Sequence, residues 1–224
     1  MAEKKKKIWL SPTGLGLLER CPRCFWLQYR KGVRQPEGIQ SRLANRFDGV
    51  IKEYFDRYRK TGTIPPLVAG AVEGALERPF QETYFYHHDG DYGLVGKLDE
   101  CLARKDHTFT PVDHKTASAD PRTRELIPAY QTQLDVYAFL LQESRKPPSG
   151  IGHLIYFYPA GGAELHEGFQ MEVTVKTLAT NTQNAKQKFL AAIAVLASPM
   201  PQPAEHCPFC AWYGAMRTLL DEHA

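Results

Sequence analysis

Apolar positions recur at helical spacing through residues 41–59, where Leu43, Phe47, Val50, Ile51, Tyr54 and Tyr58 line one face. Before them, Ser11-Pro12 offers an N-cap followed by proline at the first helical position. Leu15, Leu18, Phe25, Trp26 and Tyr29 predict helix, broken at Cys21-Pro22, with "RQPEG" as a loop. A weaker helical pattern covers residues 68–77. The rhythm then changes. "FQETYFYHH", "YGLVGKLDECLAR" and "TFTPVDHKT" read as three strands separated by the turn-like "DGD" and "KDH". Helix returns over 122–142, with Leu126, Tyr130, Leu134, Tyr137 and Leu141 on one stripe. "GIGHLIYFYP" is a buried strand, "AGGAEL" a turn and "HEGFQMEVTV" a further strand. A helix over 176–196 and the proline-rich "ASPMPQPAEH" follow. This order predicts an α/β (α+β) fold, a mixed central sheet flanked by helices.

Composition narrows the class. The chain has 224 residues, 43% hydrophobic and 24% charged, which suits one globular domain over 1–224. No apolar run is long enough to span a bilayer, and "MAEKKKKIWL" lacks a signal peptide's apolar core. The expectation is a cytoplasmic protein with no membrane partner and a basic, nucleic-acid-facing tail. A net charge of +3 permits a polyanion partner without demanding one.

Four of the five cysteines form two C-P-x-C pairs, Cys21/Cys24 and Cys207/Cys210. Such pairs are poor disulfide partners within themselves and good metal clamps, so a metal reading is preferred in a chain without a secretion signal. Either Zn²⁺ or an Fe–S cluster suits four thiolates. The site would tie region 9–35 to region 200–215, clamping N- and C-terminal helices together, a structural role. Cys101, inside a strand, reads as a small core residue.

The second constellation is acidic and basic. In "PVDHKT", strand alternation puts Asp113 and Lys115 on one face and His114 on the other. Asp99 closes the preceding strand, and the turn between them brings the two aspartates together. Two carboxylates there make a hard-oxygen site for Mg²⁺ or Mn²⁺, with the His114 backbone carbonyl as a further ligand. Lys115 would assist water or stabilise charge on a phosphate. By residue types alone the signal is weak, and an exposed ion pair is the preferred reading of D-x-K.

The motifs "GKLD" (Gly96 to Asp99), "DHKT" (Asp113 to Thr116) and "QLDVY" (Gln133 to Tyr137) together resemble the RecB-like branch of the PD-(D/E)xK nuclease superfamily. The opening "LSPTGLGLLERCPRCFWL" is similar to that branch's N-terminal helix, and the resemblance spans residues 9–213. It implies a restriction-endonuclease-like core and a Mg²⁺- or Mn²⁺-dependent deoxyribonuclease, an exonuclease on single-stranded or end-bearing DNA. Asp99 and Asp113 would hold the metal, with Lys115, Gln133 and Tyr137 catalytic. Tyr137 also fits a plain core stripe.

The CRISPR-adaptation nuclease (the fourth Cas family) and AddB-type nucleases carry a four-cysteine [4Fe–4S] cluster, and the resemblance favours that group over Zn²⁺ here. It also implies CRISPR-adaptation or recombination proteins as partners and DNA repair as a setting. One departure stands out. Where such nucleases place a histidine ligand, the matching segment "NRFDGVIKEYF" has Lys52, so Lys52 would contact phosphate while Asp48 or Glu53 supplies the oxygen. Asp48-Lys52-Asp56 as ion pairs along a solvated helix is the plainer reading. His87 and His88 read as surface residues. "WLQYRKGVR" and "RYRK" mix aromatics with cations suited to stacked bases and phosphates. The competing function is a catalytically weak DNA-binding module on the same scaffold.

Overall fold

The computed structural model describes residues 6–36, 42–161, 168 and 170–222. Its elements run β1 (Ile8–Leu10), α1 (Pro12–Arg20), α2 (Pro22–Trp26), α3 (Arg42–Arg59), β2 (Ala75–Leu76), β3 (Thr83–His87), β4 (Tyr92–Lys97) and β5 (Glu100–Ala103). They continue as β6 (Phe109–Thr116), α4 (Pro128–Glu143), β7 (Ile151–Pro159), β8 (Met171–Ala179), α5 (Thr182–Ala197) and α6 (Pro208–Glu222).

The expected α/β class holds, with two mixed sheets in place of one. A five-stranded sheet has the order β2-β5-β6-β7-β8, and a three-stranded sheet the order β1-β4-β3. Only β6 and β7 are parallel neighbours in the larger sheet, and α4 is their crossover. The sequence "YGLVGKLDECLAR" does not make one strand. It leaves the small sheet after Lys97, turns through Leu98 and Asp99, and enters the large sheet at Glu100. That break positions the site described below.

α4 packs against strands of both sheets and against α1 and α5. Leu134, Tyr137, Leu140 and Leu141 form its buried stripe with Leu94, Leu98, Leu154 and Phe189. A second core lies under α3, where Ile51 and Phe55 meet Val112, Ile155 and Phe157. At about 1.5–3 kcal/mol per large apolar side chain, this stripe outweighs weak local propensities in fixing α3 on the sheet. Ser11 caps α1 as expected, accepting from Gly14 N at 3.1 Å.

Four boundaries differ from the sequence reading. Residues 68–77 are not helical: a 3₁₀ turn (Pro66–Val68) leads to β2, because Gly70 and Gly74 adopt φ of 81° and 120°. α4 begins at Pro128 rather than near 122, with proline at its first turn. β8 runs on to Ala179, so α5 starts at Thr182, not 176. Buried Asp135 sets that start: it accepts from Asn181 N at 2.9 Å and Asn184 Nδ2 at 2.7 Å. The "AGGAEL" turn and the first part of the following strand lie largely outside the described residues. α6 is the expected C-terminal helix of the four-cysteine region; it buries none of its residues, and Trp212, Tyr213 and Leu220 are exposed.

Candidate active site and four-cysteine centre

The register Glu100↔Val112 between β5 and β6 carries Asp99 to a place opposite Asp113. Asp99 Oδ2 accepts the His114 backbone N–H at 2.8 Å, which ties the inter-sheet turn to β6. The alternation in β6 is as expected. Asp113 and Lys115 face α4, while the His114 ring packs 4.5 Å from Phe55 beneath α3. Burial holds His114 neutral, with its pKa pushed down to about 3.

Gln133, on α4, organises the other side. Its Oε1 accepts from Lys115 Nζ at 2.9 Å, and its Nε2 donates to Asp113 Oδ1 at 2.6 Å and to Tyr137 Oη at 2.7 Å. Tyr137 in turn donates to the Lys97 carbonyl at 2.7 Å. Partners on both sides therefore agree on the amide's orientation. Burial pushes the Tyr137 phenol far up, so it stays a donor. Lys115 also ion-pairs with Asp113 Oδ2 and lies 4.4 Å from the Tyr130 ring.

The carboxylates are poorly solvated. Asp113 is only 2% exposed, and burial raises its pKa to about 6 against the opposing pull of Lys115. Asp99 is raised too, chiefly by burial, with the His114 amide working the other way. Asp113 Oδ2 has no hydrogen-bond partner beyond its ion pair. A desolvated carboxylate oxygen of this kind is favourable only when a cation meets it.

Lys52 reaches the same place from α3, but not as expected. Its pairing is with Glu82 at 2.5 Å, and no ion pair joins it to Asp48 or Asp56 among the described residues; Asp56 pairs with Arg59. Lys97 joins the same Glu82 at 3.2 Å. The hydrogen bond to Glu82, helped by the charges of Glu82, Asp48 and Asp99, raises the Lys52 pKa. Glu53 is exposed and forms no ion pair among the described residues. Glu82 and Lys97 were missed from sequence. Lys97 sat inside the "GKLD" motif; Glu82 had no local signal, because its partners come from α3 and β4. Arg59 of "RYRK" turns inward to Glu100 at 2.5 Å and the Phe80 ring.

Elsewhere, Cys21, Cys24, Cys207 and Cys210 converge, with all four Sγ atoms within 4.8 Å of one another. Three separations are 3.6–3.8 Å: Cys24–Cys210, Cys24–Cys207 and Cys21–Cys210. Among the described residues this is the one group offering three or more such ligands together. Three of the four cysteines are buried. Cys101 is buried separately, as expected.

The family model described as the PD-(D/E)XK nuclease superfamily matches residues 63–214. The chain belongs to the PD-(D/E)XK nuclease superfamily. Its fold aligns with the crystal structure of SSO0001 at TM-score 0.49 and 15% identity, covering 89% of this chain and 82% of that one. It aligns with an alkaline exonuclease from Laribacter hongkongensis at TM-score 0.41 and 8% identity, covering 96% and 94%. No curated protein matches. The matched region of this PD-(D/E)XK chain contains Asp99, Asp113, Lys115, Gln133 and Tyr137. It is a nuclease domain of hydrolytic type, and nucleases of this superfamily use divalent metals. The donor set here suits one: two hard carboxylates, both desolvated, brought side by side by the β5–β6 register. No described helix is long and apolar enough to cross a membrane.

Proposed function

We propose that this chain is a Mg²⁺- or Mn²⁺-dependent deoxyribonuclease that cleaves phosphodiester bonds in single-stranded or end-bearing DNA. The observation that carries the reading is the junction between the sheets, where Asp99, Asp113 and Lys115 meet under Gln133. Asp99 and Asp113 would hold the cation, with the His114 carbonyl as a further ligand. When bound, that ion supplies Lewis-acid chemistry and activates water. The protein's own groups do the remaining work. Lys115, held by Gln133 Oε1 and Asp113, presents a fixed cation to the charge that grows on the phosphate. Gln133 positions Asp113 and Lys115 together, and Tyr137 anchors Gln133 to the Lys97 carbonyl. Lys52, oriented by Glu82, contacts a flanking phosphate rather than a metal ion, while Asp48 adds negative charge nearby.

The four cysteines hold a single tetrahedral ion, Zn²⁺, in this reading. Thiolates at about 2.3 Å from one ion stand about 3.8 Å apart. The separations of 3.6–3.8 Å support that geometry over a cubane cluster, whose thiolates are borne outward on separate irons. The ion would clasp regions 9–35 and 200–215 and complete one domain over 1–224. CRISPR adaptation, recombination and DNA repair in the cytoplasm are the settings that fit such a nuclease.

The binding-module alternative has one observation in its favour: Lys52 stands, paired with Glu82, where a further metal ligand was expected. Incubation with labelled single-stranded DNA and Mn²⁺, beside Asp113→Ala, separates the two. Cleavage by the parent protein alone supports the nuclease; binding with no cleavage by either supports the module.

A further inference from the structure

The three-stranded sheet has a conspicuous outer face. Tyr84 and Tyr86 point inward: Tyr84 is fully buried, and Tyr86 lies 5.0 Å from the Phe139 ring of α4. By alternation, Phe85 and His87 point outward, together with their cross-strand partners Val95 and Gly93. Trp9 of β1 pairs with the same Gly93, and its ring lies 5.2 Å from Phe85 and 4.9 Å from His87. Gly93 makes this possible. A Cβ there would lie 2.4 Å from the indole, so the glycine lets Trp9 rest against the sheet. Phe85 is 52% exposed despite its size. Packing against the core does not explain these rings.

The face is also charged and directed. Lys7 lies 5.4 Å from the Trp9 ring and continues the run of four lysines from Lys4. At the other end, Thr83 pairs with Lys97, which is beside Glu82 and close to Asp99. From Gly93 to Lys97 the path is roughly 13 Å at the rise of an extended strand. No carboxylate lies on the paired outward positions between them. Glu82 is neutralised by Lys52 and Lys97, and Asp89, near Lys7, is engaged by the Asp91 and Tyr92 amides of its own turn.

We propose that this outer face is a stacking track for single-stranded nucleic acid, leading from Lys7 and Trp9 past Phe85 to the carboxylates at the sheet junction. The proposal rests on the nuclease reading of that junction and specifies its substrate: a strand with unpaired bases. Exposed aromatic rings engage base faces that a duplex hides, and lysines at both ends meet the phosphates.

The test is anisotropy of a labelled oligo-dT and of a duplex of equal length, without Mg²⁺ or Mn²⁺. Phe85→Ala should weaken single-strand binding about 5- to 150-fold, the range expected for losing one stacked base. Phe85→Tyr should restore it, and duplex binding should not change. Phe85→Ala should leave the melting temperature and the hydrolysis of a small phosphodiester such as thymidine 5′-p-nitrophenyl phosphate unaltered. Trp9→Ala should add a further loss; if it unfolds, Phe85→Ala and its rescue decide alone. Unchanged single-strand affinity in Phe85→Ala would overturn the track and assign the face to a protein partner. Equal loss for single strand and duplex would overturn it too. Phe85-dependent binding in a protein that hydrolyses neither DNA nor the small ester would sustain the track and defeat the nuclease reading.

Discussion

Asp113 is held in the native state as a carboxylate with too little solvation, and this makes a thermodynamic prediction. Its pKa rises from 3.8 to about 6 on folding, mainly through burial. A raised carboxylate pKa means that the folded state binds the proton more tightly than the unfolded state. Stability from this group is therefore present below pH 4 and lost as pH climbs through about 6. Two pH units at 1.36 kcal/mol each give about 3 kcal/mol, and a side chain 2% exposed needs no discount for solvent screening. The perturbation is Asp113→Asn, compared with the parent protein by urea denaturation from pH 4 to pH 7 without Mg²⁺ or Mn²⁺. About 0.5 kcal/mol of that stability is already lost at pH 4, so whatever the offset there, the variant's advantage should grow by about 2.5 kcal/mol by pH 7. For a chain of this size that is roughly 5–10 °C in melting temperature. Added Mn²⁺ should then stabilise the parent and not the variant, because ligand binding to the folded state adds stability. A difference between the two proteins that stays flat across this pH range would refute the desolvated-carboxylate argument.

Three further outcomes are expected. Metal analysis of the purified protein should find one zinc per chain and no absorbance near ~400 nm; a brown protein with several irons would overturn the single-ion reading. Tyr137→Phe removes the bond to the Lys97 carbonyl and the acceptor for Gln133, so it should cost about 1–3 kcal/mol in urea unfolding. Gly96→Ala would place a Cβ 2.5 Å from Leu140 and 3.2 Å from the Tyr137 ring, and calorimetry should show a loss of about 1–3 kcal/mol.

The sequence disclosed the site better than the frame that holds it. Alternation alone put Asp113 beside Lys115 and turned His114 away, because a strand's side-chain period is strict. The paired cysteines announced their own convergence. The split at Leu98-Asp99 was not legible, since both halves have strand character and only tertiary pairing assigns them to different sheets. The start of α5 was equally hidden. It depends on Asp135, which is remote in sequence and looks like one more polar residue on α4. Glu82 was invisible for a related reason: its meaning comes from Lys52 and Lys97, contributed by two other elements. The helix read over 68–77 failed locally, on two glycines with positive φ whose conformational freedom a periodicity count ignores.

The central claim is that Asp99, Asp113 and Lys115 form a metal-dependent phosphodiesterase site. End-labelled single-stranded DNA incubated with the protein and Mn²⁺ tests it directly, with Asp113→Ala and Lys115→Ala alongside. The account predicts cleavage that requires Mg²⁺ or Mn²⁺ and falls by about 10²-fold or more in each variant. Cleavage at parental rate by Asp113→Ala, or DNA bound and left intact by the parent protein, would contradict it.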